Sequence, residues 1–220
     1  MSKQPPAVAV VPDSREEILQ AAAELFMAYG YTATSIDAVA ERLGATKGRI
    51  YHHWRSKADL YFDVQVAAMT RVTEAIEPIA KRPGSAAGRL AAMALAHAQI
   101  LLNELPMQKV AVQGLERELL GSASGQAPAA KRLRAVLQLR DDYERMFAEV
   151  IDDGIREGVF VDLPPRLATK PFFGVLNWAT VWYSPRRLQS AEAVAELAQM
   201  LADYAMRGIL KPGLGDNSRP

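Results

Sequence analysis

The residues best suited to chemistry lie in one short segment of the chain, between positions 42 and 57. Five lysines and arginines fall in this segment, together with a tyrosine and two histidines, and no acidic residue interrupts them. Such side chains are the donors with which proteins contact phosphates and base edges of nucleic acids. Because the 220-residue chain has a formal net charge of only +1, a contact of this kind must come from this local patch.

Other kinds of chemical site find little support. The chain has no cysteine, which excludes a thiol nucleophile, a disulfide and a cysteine zinc site. It also has no glycine-rich phosphate loop, no GxSxG and no HExxH. On a helix, His52 and His53 point about 100° apart, so they cannot chelate one metal as an i,i+4 pair can. We therefore predict no catalytic residue, metal or cofactor.

The segment before the basic patch has the pattern of a short amphipathic helix. Thr34 or Ser35 can cap its start with a hydroxyl, and Gly44 can end it in the left-handed conformation. Its apolar residues recur at i, i+3, i+4 and i+7, which places on one face Ile36, Val39, Ala40 and Leu43.

A second short helix is predicted over residues 47–53, with Thr46 as its cap. Two short helices joined by a tight turn that contains glycine are typical of the DNA-binding helix-turn-helix. The side of this helix around Ile50 should be buried, and the opposite, polar side is centred on Gly48 and His52. A glycine in the middle of the polar side suits close approach to a partner such as a DNA major groove.

Three runs of the N-terminal quarter place helix starts, glycines, aromatic residues and a lysine in a familiar register. They are AAAELFMAYGY (residues 21–31), TSIDAVAERLG (34–44) and TKGRIYHHWRSKADL (46–60). These runs resemble the N-terminal DNA-binding domain of TetR-family transcriptional regulators, which usually have phenylalanine where Trp54 stands. The resemblance implies a helix-turn-helix that reads a palindromic operator as a homodimer.

The resemblance also implies roles for individual residues. Tyr51 and Lys57 occupy positions that hold the DNA backbone, and we predict that Lys47 and Arg49 read bases. The complete set that we predict to face DNA is Thr34, Thr46, Lys47, Gly48, Arg49, Tyr51, His52, His53 and Lys57.

The remainder of the chain keeps a helical periodicity, with no alternating strand pattern and no repeat. Ser14 starts a first helix, and Ser56 caps a long helix that runs to about Ala80, before an Arg-Pro-Gly break. Five further helices are predicted over residues 86–105, 107–120, 129–157, 166–183 and 191–209.

The predicted architecture is all-α, with two domains. Residues 1–13 form a flexible arm, 14–60 the helix-turn-helix DNA-binding domain, 61–210 a helical ligand-binding and dimerisation domain, and 211–220 a disordered tail. Half of the residues are hydrophobic, which favours a globular protein. The apolar run at residues 7–11 is too short for a signal peptide or a membrane span, so we expect a cytoplasmic location.

The C-terminal region supplies methionines, aromatic residues and a few polar groups. In helical proteins such residues often form core, but apolar walls with few polar anchors also suit a ligand cavity, and the resemblance implies such a cavity here. The segment FFGVLNWATVWYSPRR is similar to members that respond to fatty-acyl or other acyl-CoA ligands. The predicted ligand-binding residues are Met93, His97, Phe147, Phe172, Asn177, Trp178 and Trp182.

The last helix has an apolar stripe at helical spacing, which we predict to form the dimer interface. Its alternative is packing inside the same subunit. For a CoA ester, phosphate-binding cations are predicted among Lys131, Arg132, Arg134, Arg186 and Arg187. The residues of the predicted dimer stripe are Val194, Leu197, Ala198, Leu201 and Ala205.

Two other functions remain open at this point. The chain could be a small helical enzyme or cofactor carrier, although the missing nucleophile, metal and phosphate motifs speak against it. It could also be an architectural DNA binder without a ligand, which a large internal cavity would argue against. The sequence favours a ligand-released repressor.

Overall fold

The computed structural model describes residues 14–121, 127–185 and 189–212. Within these ranges the chain is all-α, as predicted, apart from one isolated antiparallel bridge between Phe160 and Leu210. No helix in the described ranges is long and apolar enough to cross a membrane. The helices are α1 Ser14–Ala33, α2 Ile36–Arg42, α3 Lys47–His53, α4 Lys57–Lys81, α5 Ala86–Asn103, α6 Leu105–Gly121, α7 Ala127–Arg156, α8 Pro165–Asn177, α9 Ala179–Trp182 and α10 Ala191–Arg207.

The first three helices form the head of the molecule. Helix α1 kinks at Gly30, whose φ of 78° is a left-handed conformation that suits glycine. Ser35, one of the two predicted caps, starts α2 by accepting a hydrogen bond from the backbone N–H of Ala38 at 3.0 Å. Thr46 is the N-cap residue of α3, as predicted, but its side chain makes no capping hydrogen bond.

The core of the head extends beyond the helix-turn-helix. Ile18, Val39, Ile50 and Trp54 are buried together with residues from the start of α4. Helix α6 also contributes to this core, through Met107, Val110 and Ala111. The predicted domain boundary after residue 60 stays a prediction, since α4 belongs to the cores of both head and body.

Helices α4 and α6 approach each other closely beside the head. A Cβ atom at Gly114 of α6 would overlap the hydroxyl of Tyr61 on α4, so this position has room only for glycine unless the tyrosine moves. Tyr61 packs edge-on against Phe26 of α1, with ring centroids 5.0 Å apart. One glycine therefore permits the contact that joins α6 to the head.

The body is a bundle in which α10 packs on α5, and α7 packs on α4, α5 and α8. Its main apolar cluster includes Leu90, Met93, Phe147, Phe172 and Leu176. Burial of such side chains stabilises the fold by about 1.5–3 kcal/mol each.

Ion pairs also join the body to the head. Arg132 of α7 contacts Asp59 at 3.0 Å and Asp63 at 3.2 Å, both near the start of α4. Arg71 of α4 pairs with Glu16 of α1 and with Glu104, which lies between α5 and α6.

The predicted helix over residues 166–183 is broken in the structure. It divides at Trp178 into α8 and the four-residue α9. The predicted arm at residues 1–13 and most of the predicted tail, residues 213–220, lie outside the described residues.

Candidate DNA-binding surface and ligand cavity

Helix α3 presents its polar side to solvent, on the surface that we predict to face DNA. Ile50 is completely buried and Trp54 is nearly so, which anchors the opposite side in the head. Tyr51 is 52% exposed. The predicted contact residues Thr46, Lys47, Gly48, His52 and His53 are also exposed.

The cations of this surface are paired with acids from neighbouring helices. Lys47 contacts Asp37 of α2, and Arg49 contacts Glu17 of α1 at 2.6 Å. The hydrogen bond and charge of Asp37 raise the pKa of the Lys47 ammonium. The acid-free stretch in the sequence is therefore not an acid-free surface, because folding brings carboxylates to it from residues distant in the chain.

Lys57 braces the head through backbone carbonyls, and its predicted phosphate contact stays a prediction. Its Nζ donates hydrogen bonds to the backbone carbonyls of Tyr31 and Thr34, both at 2.8 Å, and of Thr32 at 3.3 Å. It also lies 4.4 Å from the centroid of the Tyr31 ring. An ammonium group has three N–H donors, so all of them are used to hold the connection between α1 and α2.

Thr34 likewise has a structural role instead of the predicted DNA contact. It is only 3% exposed, and its hydroxyl lies 2.8 Å from the carbonyl oxygen of Gly30 and 3.2 Å from that of Leu25. A buried hydroxyl that is bonded to backbone cannot reach a DNA phosphate. Arg55, which the predicted set left out, is exposed, and none of the ion pairs seen in residues 14–121, 127–185 and 189–212 includes it.

A cavity of about 330 Å³ lies among α4, α5, α6, α7 and α8. Two of the seven predicted ligand residues, His97 and Asn177, line it. The remaining lining was not predicted and is Met69, Val72, Gln108, Ala111, Val112, Leu137, Arg140, Asp141, Tyr143, Glu144, Lys170 and Phe173.

A chain of three hydrogen-bonded side chains lines one part of the cavity. His97 Nδ1 lies 2.7 Å from the hydroxyl of Tyr143, and His97 Nε2 lies 2.9 Å from Oδ1 of Asn177. Burial lowers the pKa of His97 to about 4, against a smaller opposing effect of the Asn177 hydrogen bond. Burial also raises the pKa of Tyr143 well above 10. All three groups are therefore neutral at physiological pH.

Charged residues also line the cavity, in balanced numbers. Lys170 pairs with Glu144 at 2.7 Å. Burial disfavours the ionised carboxylate, but hydrogen bonds from Lys170 and Thr169 outweigh this and lower the pKa of Glu144. Arg140 donates to Oε1 of Gln65 at 3.3 Å, and Asp141 supplies the second carboxylate.

Three of the five cations predicted to receive CoA phosphates do not line the cavity. Arg132 is bound to Asp59 and Asp63 at the base of the head. Neither Lys131 nor Arg134 lines the cavity, and the predicted Arg186 and Arg187 lie outside the described residues.

Five predicted ligand residues lie away from the cavity. Met93, Phe147 and Phe172 are fully or almost fully buried in the core of the body, and Trp178 and Trp182 are 62% and 48% exposed. Helical spacing identifies apolar faces, but it does not distinguish a residue that lines a gap from its neighbour in close-packed core.

The predicted dimer stripe of α10 also packs inside its own subunit. Ala198, Leu201 and Ala205 are at most 6% exposed, because α10 lies against α5, and Val194 and Leu197 are partly buried against the same core. Ala198, Leu201 and Ala205 are therefore core residues of their own subunit, and an interface role of Val194 and Leu197 stays a prediction. The large apolar residues that remain exposed on α8, α9 and α10 are Leu167, Val175, Trp178, Val181, Trp182, Met200 and Tyr204.

Comparison with known proteins identifies both parts of the chain. Residues 18–64 match the bacterial regulatory proteins of the tetR family, and residues 83–209 match the tetracyclin repressor-like C-terminal domain. The transcriptional repressor KstR2 of Mycobacterium tuberculosis is 26% identical over 214 residues, which cover 93% of this chain and 96% of KstR2.

Two solved structures have the same fold. PfmR from Thermus thermophilus, a TetR family transcriptional regulator, has a TM-score of 0.72 and 27% identity, covering 87% of this chain and 97% of PfmR. AibR, solved with isovaleryl coenzyme A and operator DNA, has a TM-score of 0.68 and 20% identity, covering 86% of this chain and 97% of AibR. Because the C-terminal match alone covers more than half of the chain, the protein belongs to the TetR family of bacterial DNA-binding transcriptional regulators, as its first quarter predicted.

Proposed function

We propose that this protein is a homodimeric repressor that releases its operator when an apolar effector enters the cavity. The observation that carries the proposal is the position of Ala111, which lines the cavity and is also buried in the core of the head. Helix α6 therefore contacts both the effector site and the helix-turn-helix. A change in the cavity cannot move α6 without disturbing the packing of the head.

The energetic requirement of this mechanism is differential affinity. An effector shifts the protein away from DNA only if it binds the released state more tightly than the DNA-bound state. The released state would be one in which the two α3 helices no longer match successive major grooves, about 34–36 Å apart.

The dimension and lining of the cavity support a ligand with an apolar body, such as the acyl part of an acyl-CoA. About 330 Å³ is near the lower end of small-molecule sites, which span about 300–1,000 Å³. The cavity would thus hold an acyl chain, with the nucleotide of a CoA ester outside it. AibR, solved with isovaleryl coenzyme A, has the same fold, which supports the same class of ligand.

A direct test combines operator selection with effector titration. DNA bound from random oligonucleotides gives the operator, and acyl-CoAs of increasing chain length are then titrated against the protein–operator complex. Val112→Phe should fill part of the cavity, because Val112 lines it, and should abolish release without weakening operator binding. Ala135→Phe, on an exposed position of α7 that does not line the cavity, is the control. Release that persists unchanged in Val112→Phe would place the effector elsewhere.

The dimer surface that we propose is the exposed apolar side of α8 and α9. Trp178, Val181 and Trp182 are all about half exposed or more, and exposed apolar clusters mark protein contacts. One helix-turn-helix contacts too few base pairs for strong specificity, which favours two-fold pairing. Trp178→Arg should give monomers in sedimentation and lose operator binding, whereas Glu149→Arg on α7 should do neither. A dimer that survives Trp178→Arg would contradict this surface.

Base reading by Lys47 and Arg49 is proposed from their place on α3. Arg49→Ala should relax the selected operator sequence, with a loss of about 1–3 kcal/mol for a bidentate base contact. An unchanged selected motif would remove Arg49 from the base-reading set.

A further inference from the structure

The chain formed by Tyr143, His97 and Asn177 restricts what the cavity can bind. This inference rests on the proposed function, since it concerns the ligand of the same cavity. His97 and Tyr143 are each 5% exposed, so their hydrogen bonds are shielded from water. A buried polar group that loses its partner costs about 1–3 kcal/mol, which keeps the chain intact when a ligand enters.

The hydrogen bonds of this chain determine one arrangement of protons. Oδ1 of Asn177 is an acceptor only, so His97 must carry its proton on Nε2 and donate to it across 2.9 Å. The unprotonated Nδ1 of His97 then accepts the hydroxyl proton of Tyr143 across 2.7 Å. Both nitrogens of His97 and the single proton of Tyr143 are thereby used.

The amide nitrogen of Asn177 is the donor that this arrangement leaves for a ligand. Within the described part of the chain, no acceptor forms a hydrogen bond with Asn177 Nδ2, although Oδ1 of the same amide is held by His97. Asn177 lines the cavity. Its amide is thus fixed in orientation by the histidine and presents N–H groups, which recognise an oxygen acceptor.

The charge of the lining favours a neutral acceptor over a carboxylate. The charged residues among the described lining are Arg140, Asp141, Glu144 and Lys170, two of each sign. Lys170 is bound to Glu144, and His97 is neutral. The cavity therefore offers a ligand oxygen a fixed amide donor without a net positive charge.

We propose that the effector carries a neutral carbonyl oxygen which accepts a hydrogen bond from Nδ2 of Asn177, and that His97 and Tyr143 are positioning residues for this contact. A thioester carbonyl at the head of a short acyl chain has this chemistry. The apolar walls formed by Met69, Val72, Leu137 and Phe173 would surround the chain itself.

The test uses two probes that differ only in the carbonyl group. They are S-octanoyl-N-acetylcysteamine, a thioester, and S-octyl-N-acetylcysteamine, the matching thioether. Calorimetry on the full-length protein should give a dissociation constant about fivefold or more lower for the thioester, as expected for one net hydrogen bond in a shielded site. Octanoate, measured alongside, should bind more weakly than the thioester.

Two variants of Asn177 test the contact itself. Asn177→Leu removes the donor, and Asn177→Asp keeps an oxygen for His97 while replacing the amide nitrogen with an acceptor. Both should bind the two probes equally. The aspartate variant guards against misfolding, because it preserves the shape of the side chain and its hydrogen bond with His97.

Tyr143→Phe tests positioning. It should reduce the preference for the thioester and also shift the ¹⁵N resonances of His97, because Nδ1 loses the hydrogen bond that it accepts from the tyrosine hydroxyl. A preference for the thioester that stays unchanged although the histidine resonances shift would remove Tyr143 from the positioning residues.

The possible outcomes separate this inference from the proposed function. Equal binding of thioester and thioether by the wild-type protein, with release of DNA by both, would overturn the carbonyl contact and leave the cavity as an effector site. Tightest binding by octanoate would overturn the neutral character of the ligand. Binding of no probe, together with no release by acyl-CoAs, would overturn the acyl ligand and the carbonyl contact together.

Discussion

The predicted DNA-binding surface of the head and the cavity of the body both carry polar side chains, but these are exposed ion pairs on the head and buried neutral groups in the cavity. On the head, Lys47 and Asp37 form an ion pair in which the two side chains are 61% and 57% exposed. In the cavity, His97 and Tyr143 are buried and neutral. Exposed ion pairs contribute little to stability, so DNA phosphates can replace their acids at little cost. A buried neutral chain cannot exchange partners so cheaply. We therefore expect DNA affinity at the head to depend strongly on salt, and ligand affinity at the cavity to depend on hydrogen-bond geometry.

The largest expected effect is a pH-dependent loss of folding stability caused by the buried His97 in the cavity. Burial lowers the pKa of His97 from 6.5 to about 4, so the unfolded chain takes up this proton before the folded protein does. The associated stability is present above pH 6.5 and is lost as the pH falls toward 4. The loss amounts to about 3 kcal/mol by pH 4. Urea unfolding of the wild type and of His97→Gln between pH 7 and 4 gives the unfolding free energy of each protein as a function of pH. The loss is the amount by which the wild-type value falls more steeply than that of His97→Gln.

The variant Tyr143→Phe is the control for this effect. It removes a hydrogen bond but keeps the buried histidine, so it should keep the loss of stability at low pH. Parallel curves for the wild type and His97→Gln would show that His97 is accessible to protons in the folded protein, and would remove the contrast with the head.

A smaller effect is expected at Lys57, which belongs to the head but behaves like the buried groups of the cavity. Lys57→Met should destabilise the protein by about 2 kcal/mol, because carbonyl groups of the connection between α1 and α2 lose a charged donor. The dependence of operator affinity on salt should keep its slope, since no phosphate contact is lost. Lys81→Met, on an exposed lysine paired within its own helix, should have little effect on stability. A salt slope that falls by about 0.9 would restore the phosphate contact to Lys57.

The sequence predicted the local features of the head well because they depend on neighbours in the chain. The start of α2 at Ser35, the buried side of α3 at Ile50 and the cap at Ser56 all follow from spacing. The partners of Lys57 and Arg49 lie 23 or more residues away, and a pattern within one helix contains no information about them. This is why Lys57 was assigned to phosphate instead of to backbone carbonyls.

The smallest expected effect concerns the acid that holds Arg49. Glu17→Gln should change the stability by less than about 0.5 kcal/mol, since the pair is 37% exposed on both sides. It should raise the affinity for all DNA sequences a few-fold at low salt, because Arg49 can then contact DNA without first breaking its ion pair with Glu17. The gain in affinity should vanish at high salt. Fluorescence anisotropy with specific and random duplexes measures this. Glu149→Gln, at an exposed position of α7, controls for net charge. An equal gain in DNA affinity for this variant would mean that Glu17 does not act through Arg49.

In the body, sequence periodicity identified the helices, but it did not show which face of each helix packs in the core, lines the cavity or remains exposed. On α10, the stripe with Leu201 packs on α5, while Met200, the preceding residue, is 45% exposed. On α8, Phe172 is core and the adjacent Phe173 lines the cavity. Burial in the subunit and burial against a second copy select the same apolar residues, so composition alone cannot separate them.

The close contact between Gly114 and Tyr61 predicts that a harmful substitution at the glycine can be suppressed by a second substitution at the tyrosine. A methyl group there would collide with the hydroxyl of Tyr61, so Gly114→Ala should wedge α6 away from α4 without touching either the DNA surface or the cavity lining. Tyr61→Phe would remove the colliding oxygen and should restore part of the wild-type behaviour. A genetic screen for such paired changes would report how much separation between α6 and the head is needed to silence the repressor when no effector is present.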